Sequence, residues 1–213
     1  MEKNDHPGKF IVFEGLDGSG SSTQASLLAD YFTHHKIKYF LTKEPTNNIV
    51  GGLIRGQLTK DWQTGNECLQ LLYAADRAHH QEKQIIPALK KGIHVISDRY
   101  FLSSIAFGAV ESLDEDWLYK INENFLEPDL TVMLKVSPKV CLSRIRKSRI
   151  SFELFEDEDK FQKIWQAYEK ATKRNKNILL IDGEKRSDAI ISIVLKAVAK
   201  IVPSMPRQIN FFE

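Results

Sequence analysis

The stretch FIVFEGLDGSGSST, residues 10–23, carries the residue spacing with the most chemical content in this 213-residue chain. Residues 10–14 are mostly β-branched or aromatic and predict a buried strand. A glycine-rich turn follows (Gly15, Gly18, Gly20), then hydroxyl residues, then the helix-like run TQASLLADYF. Strand, glycine loop and helix together make a phosphate cradle. The glycines let backbone N–H groups turn inward, and the helix N-terminus adds the positive end of its dipole.

The phosphate-loop pattern is G-x-x-x-x-G-K-[ST]. Here it reads Gly15, Leu16, Asp17, Gly18, Ser19, Gly20, Ser21, Ser22, with Thr23 next, so Ser21 stands where the pattern has lysine. Ser22 occupies the magnesium-ligand position. The backbone cradle is complete, while the cation that would hold the β- and γ-phosphates must come from elsewhere. The plainer alternative for these residues is a tight strand-to-helix turn.

The remaining polar clusters each follow a predicted strand. Asp98 and Arg99 come after IHVIS; a carboxylate there can orient a metal, and an adjacent arginine can fork onto a phosphate. A local Asp–Arg ion pair is the alternative. Lys43, Glu44 and Pro45 follow the strand at 39–41, and Arg55 lies further on, suited to a second anion or to a solvated surface. Tyr73 and Arg77 are four residues apart and share a helix face. That pair serves either to stack and read a flat ring or as a packing contact with a solvated charge. Arg144, Arg146, Lys147 and Arg149 form a basic run followed by acidic residues 156–159. It reads as a charged helix end or as a lid carrying arginines over a transferring phosphoryl group.

The elements that must position these residues alternate in type. Helices are predicted at 22–35, around LIRGQL after Gly51 and Gly52, and at 65–91 with a bend at Pro87. Further helices are predicted at 102–110, 114–125, from Pro138 onward, at 158–173 and at 187–202. Strands are predicted at 10–14, 39–41, 93–97, 130–136 and 178–181. Strands alternating with helices imply an α/β fold with a five-stranded parallel sheet, helices on both faces and the ligand at the carboxyl ends. A single domain over 1–213 follows, with a lid at about 144–157 and a flexible tail at about 203–213.

Composition sets the outer bounds. At 42% hydrophobic residues the chain supports one sizeable core. A net charge of +2 is too small to argue for nucleic acid or an anionic membrane. No apolar run is long enough to span a bilayer, and the polar start MEKNDHPGK has no signal-peptide core. Cys68 and Cys141 have no metal-type spacing and read as reduced, buried thiols of a cytoplasmic protein. The six histidines form no ligand cluster and read as surface or packing groups.

Taken in order, FIVFEGLDGSG, KEPT, LLYAADR, SDRYFLSSIAFGA, PDLTVMLKV and the arginine-rich segment resemble the thymidylate kinases over nearly the whole chain. The resemblance implies a P-loop NTPase fold with a small helical lid, and transfer of phosphate from ATP to dTMP, giving dTDP for dTTP synthesis. It implies Mg2+ as cofactor, dTMP and ATP as partners, and a homodimer, with no nucleic acid or membrane. Residue by residue, it implies that Gly15 to Thr23 hold the ATP phosphates, with Ser22 and Asp98 on the metal. Asp17 would reach the sugar side of dTMP; Arg55 and Arg99 would clamp its phosphate, with Lys43 and Pro45 alongside. Tyr73 would stack on thymine and Arg77 bond its edge, with Ser104 near the base and Phe107 under the sugar, disfavouring a ribose. Asp17, Arg99 and the lid residues Arg144, Arg146 and Arg149 would act in catalysis, with Arg146 or Arg149 replacing the missing lysine. The family usually has phenylalanine at position 73 and often arginine at 43. A binding protein that has lost catalysis, or a kinase for another deoxynucleotide, are the alternatives that Ser21 leaves open.

Overall fold

The computed structural model describes residues 1–148 and 158–206. Among these residues one sheet is formed by β1 (Phe10–Gly15), β2 (Tyr39–Lys43), β3 (His94–Asp98), β4 (Leu130–Lys135) and β5 (Ile178–Asp182). Their order is β2-β3-β1-β4-β5, and every pairing is parallel. The order reverses at β1, between β3 and β4, which opens a crevice beyond the carboxyl ends of the strands. β1 is buried along its whole length, as expected of the central strand.

Alternate residues of each strand feed two cores, one per face. On one face Phe10, Val12, Val95 and Met133 pack with residues of α5 (Phe101–Val110) and α8 (Glu158–Arg174), including Ile105, Ile164 and Tyr168. On the other, Ile11, Phe13, Ile96, Val132 and Leu134 meet Leu28 and Phe32 of α1 (Ser21–His34) and Val194 and Leu195 of α9 (Ser187–Val198). Burying each such side chain contributes about 1.5–3 kcal/mol. α2 (Ile49–Leu58) and α3 (Asn66–His80) pack against each other beside β2 and β3.

The single helix predicted over 65–91 is instead three segments. After α3 comes a π-helical turn, Gln81–Ile85, and then α4 (Ile86–Lys90). Pro87 has no N–H for the carbonyl four residues back, and the wider turn lies just ahead of it. Within that turn Gln81 points inward, its Oε1 accepting from the Tyr100 hydroxyl at 3.0 Å and from Leu126 N at 2.6 Å. The helix predicted at 114–125 shortens to α6 (Glu115–Lys120), capped by Asp114, whose Oδ1 accepts from Trp117 N at 2.7 Å. α7 is Pro138–Ser148, with proline in the first turn where no N–H is needed. α9 stops at Val198, and Val202 and Met205 are buried in the α1/α9 core. The predicted tail is therefore docked at least as far as Met205, while Phe211 and Phe212 lie outside the described residues. Cys68 corrects an expectation: it is exposed on α3, and only Cys141 is buried.

Asp129 ties the start of β1 to the entry of β4. Its carboxylate accepts from Phe10 N at 2.7 Å, Asn4 Nδ2 at 2.5 Å and Lys9 Nζ at 3.2 Å. Asp129→Ala leaves a strand N–H without its partner, which costs about 1–3 kcal/mol. Urea denaturation should show this loss, whereas Asp5→Ala, on an exposed pair with Lys3, should change stability by less than about 0.5 kcal/mol.

Candidate active site at the carboxyl ends of the strands

The glycine loop leaves β1 and closes at the start of α1. Gly18 has φ 76°, and a Cβ there would lie 2.7 Å from the Cys141 carbonyl oxygen, so α7 packs directly against the loop. Arg144 braces the same contact by donating to the carbonyls of Gly18 (3.4 Å), Ser19 (3.2 Å) and Gly183 (3.0 Å). With the Ser19 carbonyl held toward α7, the trans peptide aims the Gly20 N–H the opposite way. Gly20 precedes α1 in the left-handed region, with no capping side chain and no acidic residue in the first turn. The N-terminal amides of α1 are thus offered to an anion.

Asp98, at the end of β3, faces those amides. Its Oδ1 accepts from the buried Ser21 hydroxyl at 2.9 Å and its Oδ2 from Ser22 at 2.5 Å. Register places Asp98 beside Phe13 of β1 on one side and Lys43 of β2 on the other. Ser22, Lys43, Thr46 and Asp98 share a cavity of about 760 Å3. Ser22 and Asp98 form a hard, all-oxygen donor pair that fits Mg2+, an ion bound through one or two protein ligands plus phosphates and water. Among the described residues no set of three or more His, Cys, Asp or Glu side chains forms a self-sufficient metal cage.

Arg99 follows with φ 73°, a conformation that costs a non-glycine residue about 1–3 kcal/mol. It is held there by its N–H on the Phe13 carbonyl (2.8 Å) and by its guanidinium. That group reaches Asp17 Oδ1 at 2.5 Å, the Gly15 carbonyl at 3.0 Å and Ser103 Oγ at 3.2 Å, and lies 5.6 Å over the Phe107 ring. Tyr73 stands in the field of Arg99 and Asp17, and burial pushes its phenol up to about 12. Behind Arg99 sits Glu14, fully buried at the end of β1. Its carboxylate accepts from Tyr100 N (2.9 Å), Ser103 Oγ (2.6 Å) and the Tyr168 hydroxyl (3.2 Å). Tyr168 also receives an Arg99 N–H at 3.3 Å, so α8 is wired to the site arginine.

The side wall is a buried polar network. Arg77, 1% exposed, donates from Nε to Glu44 at 2.9 Å, from Nη2 to Ser104 Oγ at 3.1 Å and from Nη1 to Asn122, beneath the Tyr100 and Phe125 rings. His80 bridges Glu44 (3.1 Å) and Thr42 (2.8 Å). Asp76 accepts from Thr46 N (2.7 Å) and Thr46 Oγ1 (2.6 Å), and Arg55 donates to the Thr46 carbonyl. The Glu44–Pro45 peptide, which leads into this wall, is cis.

Asp17, Arg99 and Phe107 therefore meet on one side of the loop, with Tyr73 in the field of Arg99 and Asp17 and the Arg77–Ser104 pair buried nearby, and Ser22, Asp98 and Lys43 meet on the other. Leu16 is a core residue and Thr23 an exposed one, so within the loop these two side chains do not face the crevice together. Arg144 lies against loop carbonyls. Arg146, two residues on and so roughly 200° around the helix, is exposed. Arg149 falls outside the described residues. Sequence reasoning named Glu44 in its polar cluster but gave it no partner, and it missed Glu14, Asp76, His80, Ser103, Asn122 and Tyr168. A lone carboxylate inside an otherwise apolar strand was the signal available for Glu14.

Burial raises the Glu14 carboxyl to about 7 against the opposing pull of Arg99, the Ser103 hydroxyl and the backbone donors. The folded protein thus binds this proton more tightly than the unfolded chain. The stability it contributes is full below about pH 4.5 and is lost as pH rises through about 7. The loss is of the order of 3 kcal/mol. Urea midpoints measured from pH 5 to pH 8 should fall for the wild type relative to Glu14→Gln, and parallel curves would exclude this titration.

Residues 13–192 match the family model described as Thymidylate kinase. The chain is 39% identical over 182 residues to a probable thymidylate kinase of Thermococcus onnurineus, covering 82% of this chain and 89% of the relative. It is 39% identical over 178 residues to a probable thymidylate kinase of Methanocaldococcus jannaschii, covering 84% and 88%. With a thymidylate kinase of Carboxydothermus hydrogenoformans it shares 37% identity over 190 residues, 86% of this chain and 93% of the relative. With a family match over most of its length and these identities to curated thymidylate kinases, this chain, with its five-stranded parallel sheet and glycine loop, belongs to the thymidylate kinase family.

Proposed function

We propose that this chain transfers the γ-phosphoryl group of ATP to the 5′-phosphate of dTMP, giving dTDP and ADP. A phosphate oxygen of dTMP attacks the γ-phosphorus in line, and the bond to the β–γ bridging oxygen breaks. The observation that carries this reading is the arrangement around β1: an amide cradle and the Ser22–Asp98 pair on one side, the Arg99–Asp17–Phe107–Tyr73 cluster on the other. Such a site acts by positioning and charge neutralisation, as phosphoryl transfer requires.

In this reading the loop from Gly15 to Thr23 holds the ATP phosphates through its amides. Ser22 and Asp98 hold Mg2+, which neutralises phosphate charge when bound. Arg99 and Arg55 take the acceptor phosphate. Tyr73 stacks on thymine, the buried Arg77 and Ser104 hold the wall behind the base, and Asp17 and Phe107 flank the sugar. Pro45 shapes the turn that carries the acceptor wall. Arg144 positions the loop, and Arg146 and Arg149 belong to the lid. A second copy of the chain covers α2 and α3, where Ile49, Leu53, Leu58 and Leu71 are exposed large aliphatics on neighbouring helices. The cytoplasm, where ATP and dTMP are met, is the compartment that suits this activity; among the described residues no helix is long and apolar enough to cross a membrane.

Incubation with dTMP and Mg-ATP should yield dTDP and ADP in equal amounts, read by chromatography, and EDTA should abolish the reaction. Phe107→Ala should raise the KM for dTMP and narrow the preference for deoxyribose over ribose, and an unchanged ratio would remove Phe107 from the sugar site. Leu53→Asp with Leu71→Asp should convert a dimer into a monomer in sedimentation equilibrium, and a wild type that sediments as a monomer would reject that pairing.

A further inference from the structure

The loop has lost a charge that this chemistry uses. In the G-x-x-x-x-G-K-[ST] pattern the lysine reaches the β- and γ-phosphates, whereas Ser21 is neutral, buried and committed to Asp98 at 2.9 Å. Strand register brings another cation to the same place. Lys43 is the Cα partner of Asp98 on the neighbouring parallel strand. Register partners project to the same side of the sheet, about 4.8 Å apart. That side carries α1, because Ile96, two residues before Asp98, packs with Leu28 and Phe32 of α1. Lys43 and Asp98 therefore rise side by side toward the start of α1, and with Ser22 they line one cavity of about 760 Å3. A four-carbon stem spans more than the gap between adjacent strands and delivers a compact, mobile ammonium.

The nearby arginines are already engaged. Arg99 is paired with Asp17 and the Gly15 carbonyl, Arg144 with three backbone carbonyls, Arg55 with Thr46, and Arg77 with Glu44. Lys43 is exposed at the end of β2. Its ammonium has no ion pair or hydrogen bond with another described residue, so it is available to a ligand in this cavity.

We propose that Lys43 supplies the charge missing at Ser21, placing its ammonium on the transferring phosphoryl group from β2 instead of from α1. The proposal rests on the phosphotransfer reading above and assigns Lys43 to the transition state instead of to acceptor binding. No bond to Lys43 forms or breaks; its positive charge meets the negative charge that spreads over the γ-phosphoryl oxygens during transfer.

A four-protein cycle tests this: wild type, Lys43→Ala, Ser21→Lys and the double variant, each assayed for dTDP formation and, by calorimetry, for dTMP binding. Thermal melting checks that all four are folded. Lys43→Ala should lower kcat about a hundred- to a thousandfold with little change in the Kd for dTMP. In the Ser21→Lys background the same substitution should cost far less, because the loop then carries its own cation. Equal kcat losses in both backgrounds, or a loss confined to dTMP affinity, would overturn the proposal. Lys43→Arg and Lys43→Met provide a test independent of Ser21→Lys: arginine should keep most of kcat and methionine should not, and equal losses would remove charge as the cause. A wild type that binds dTMP yet forms no dTDP sinks the phosphotransfer reading itself, whereas an active wild type whose kcat ignores position 43 sinks this inference alone.

Discussion

A carboxylate with no access to water organises the working end of this protein. Glu14 lies near the end of the central strand, and its two oxygens gather donors from Tyr100 just ahead of α5, Ser103 on α5 and Tyr168 on α8. A buried carboxyl is costly unless its hydrogen bonds are made, so the positions of α5 and α8 relative to β1 are set within narrow limits. Arg99 lies against this hub and inherits its rigidity. Its left-handed backbone persists because the strand N–H bond, the Asp17 pair and the Ser103–Tyr168 contacts together outweigh the local strain.

Two further constraints complete the crevice. At the glycine loop, Gly18 has no room for a side chain against Cys141, so α7 packs directly on the loop with Arg144 across their seam. On the α3 side, the buried Arg77–Glu44 pair holds α3 to the segment after β2. Breaking such a pair by removing one partner costs about 3–5 kcal/mol, which makes this wall a rigid support. Asp98 stands between the two sides, its carboxylate shared by Ser21 and Ser22 and flanked in register by Phe13 and Lys43.

Much of this was legible in the linear chain. The strands at β1, β3, β4 and β5 announce themselves as short apolar runs, and the glycine loop between β1 and α1 has a spacing that few other structures require. The positions of Asp17, Asp98 and Arg99 directly after strands pointed to the crevice. The π-helical turn before Pro87 was not legible, because a proline signals a disturbed helix without saying which form the disturbance takes. Nor was the exposure of Cys68, since α3 turns that face away from the sheet and residue type alone does not reveal which side a neighbour covers.

The sequence by itself determined the α/β class, the glycine loop between β1 and α1, the family and the absence of a lysine at position 21, because each of these is written in local residue type and spacing. Only the tertiary structure decided what surrounds those residues. It showed that Arg144 braces loop carbonyls, that Arg77 is sealed in a polar network, and that Glu14 is the hub behind Arg99. It also set Lys43 beside Asp98. These facts depend on strand order and register, which bring together residues 55 to 154 positions apart along the chain, as with Lys43 and Asp98 or Glu14 and Tyr168. No periodicity within a window of sequence encodes such meetings; the packing of whole elements does.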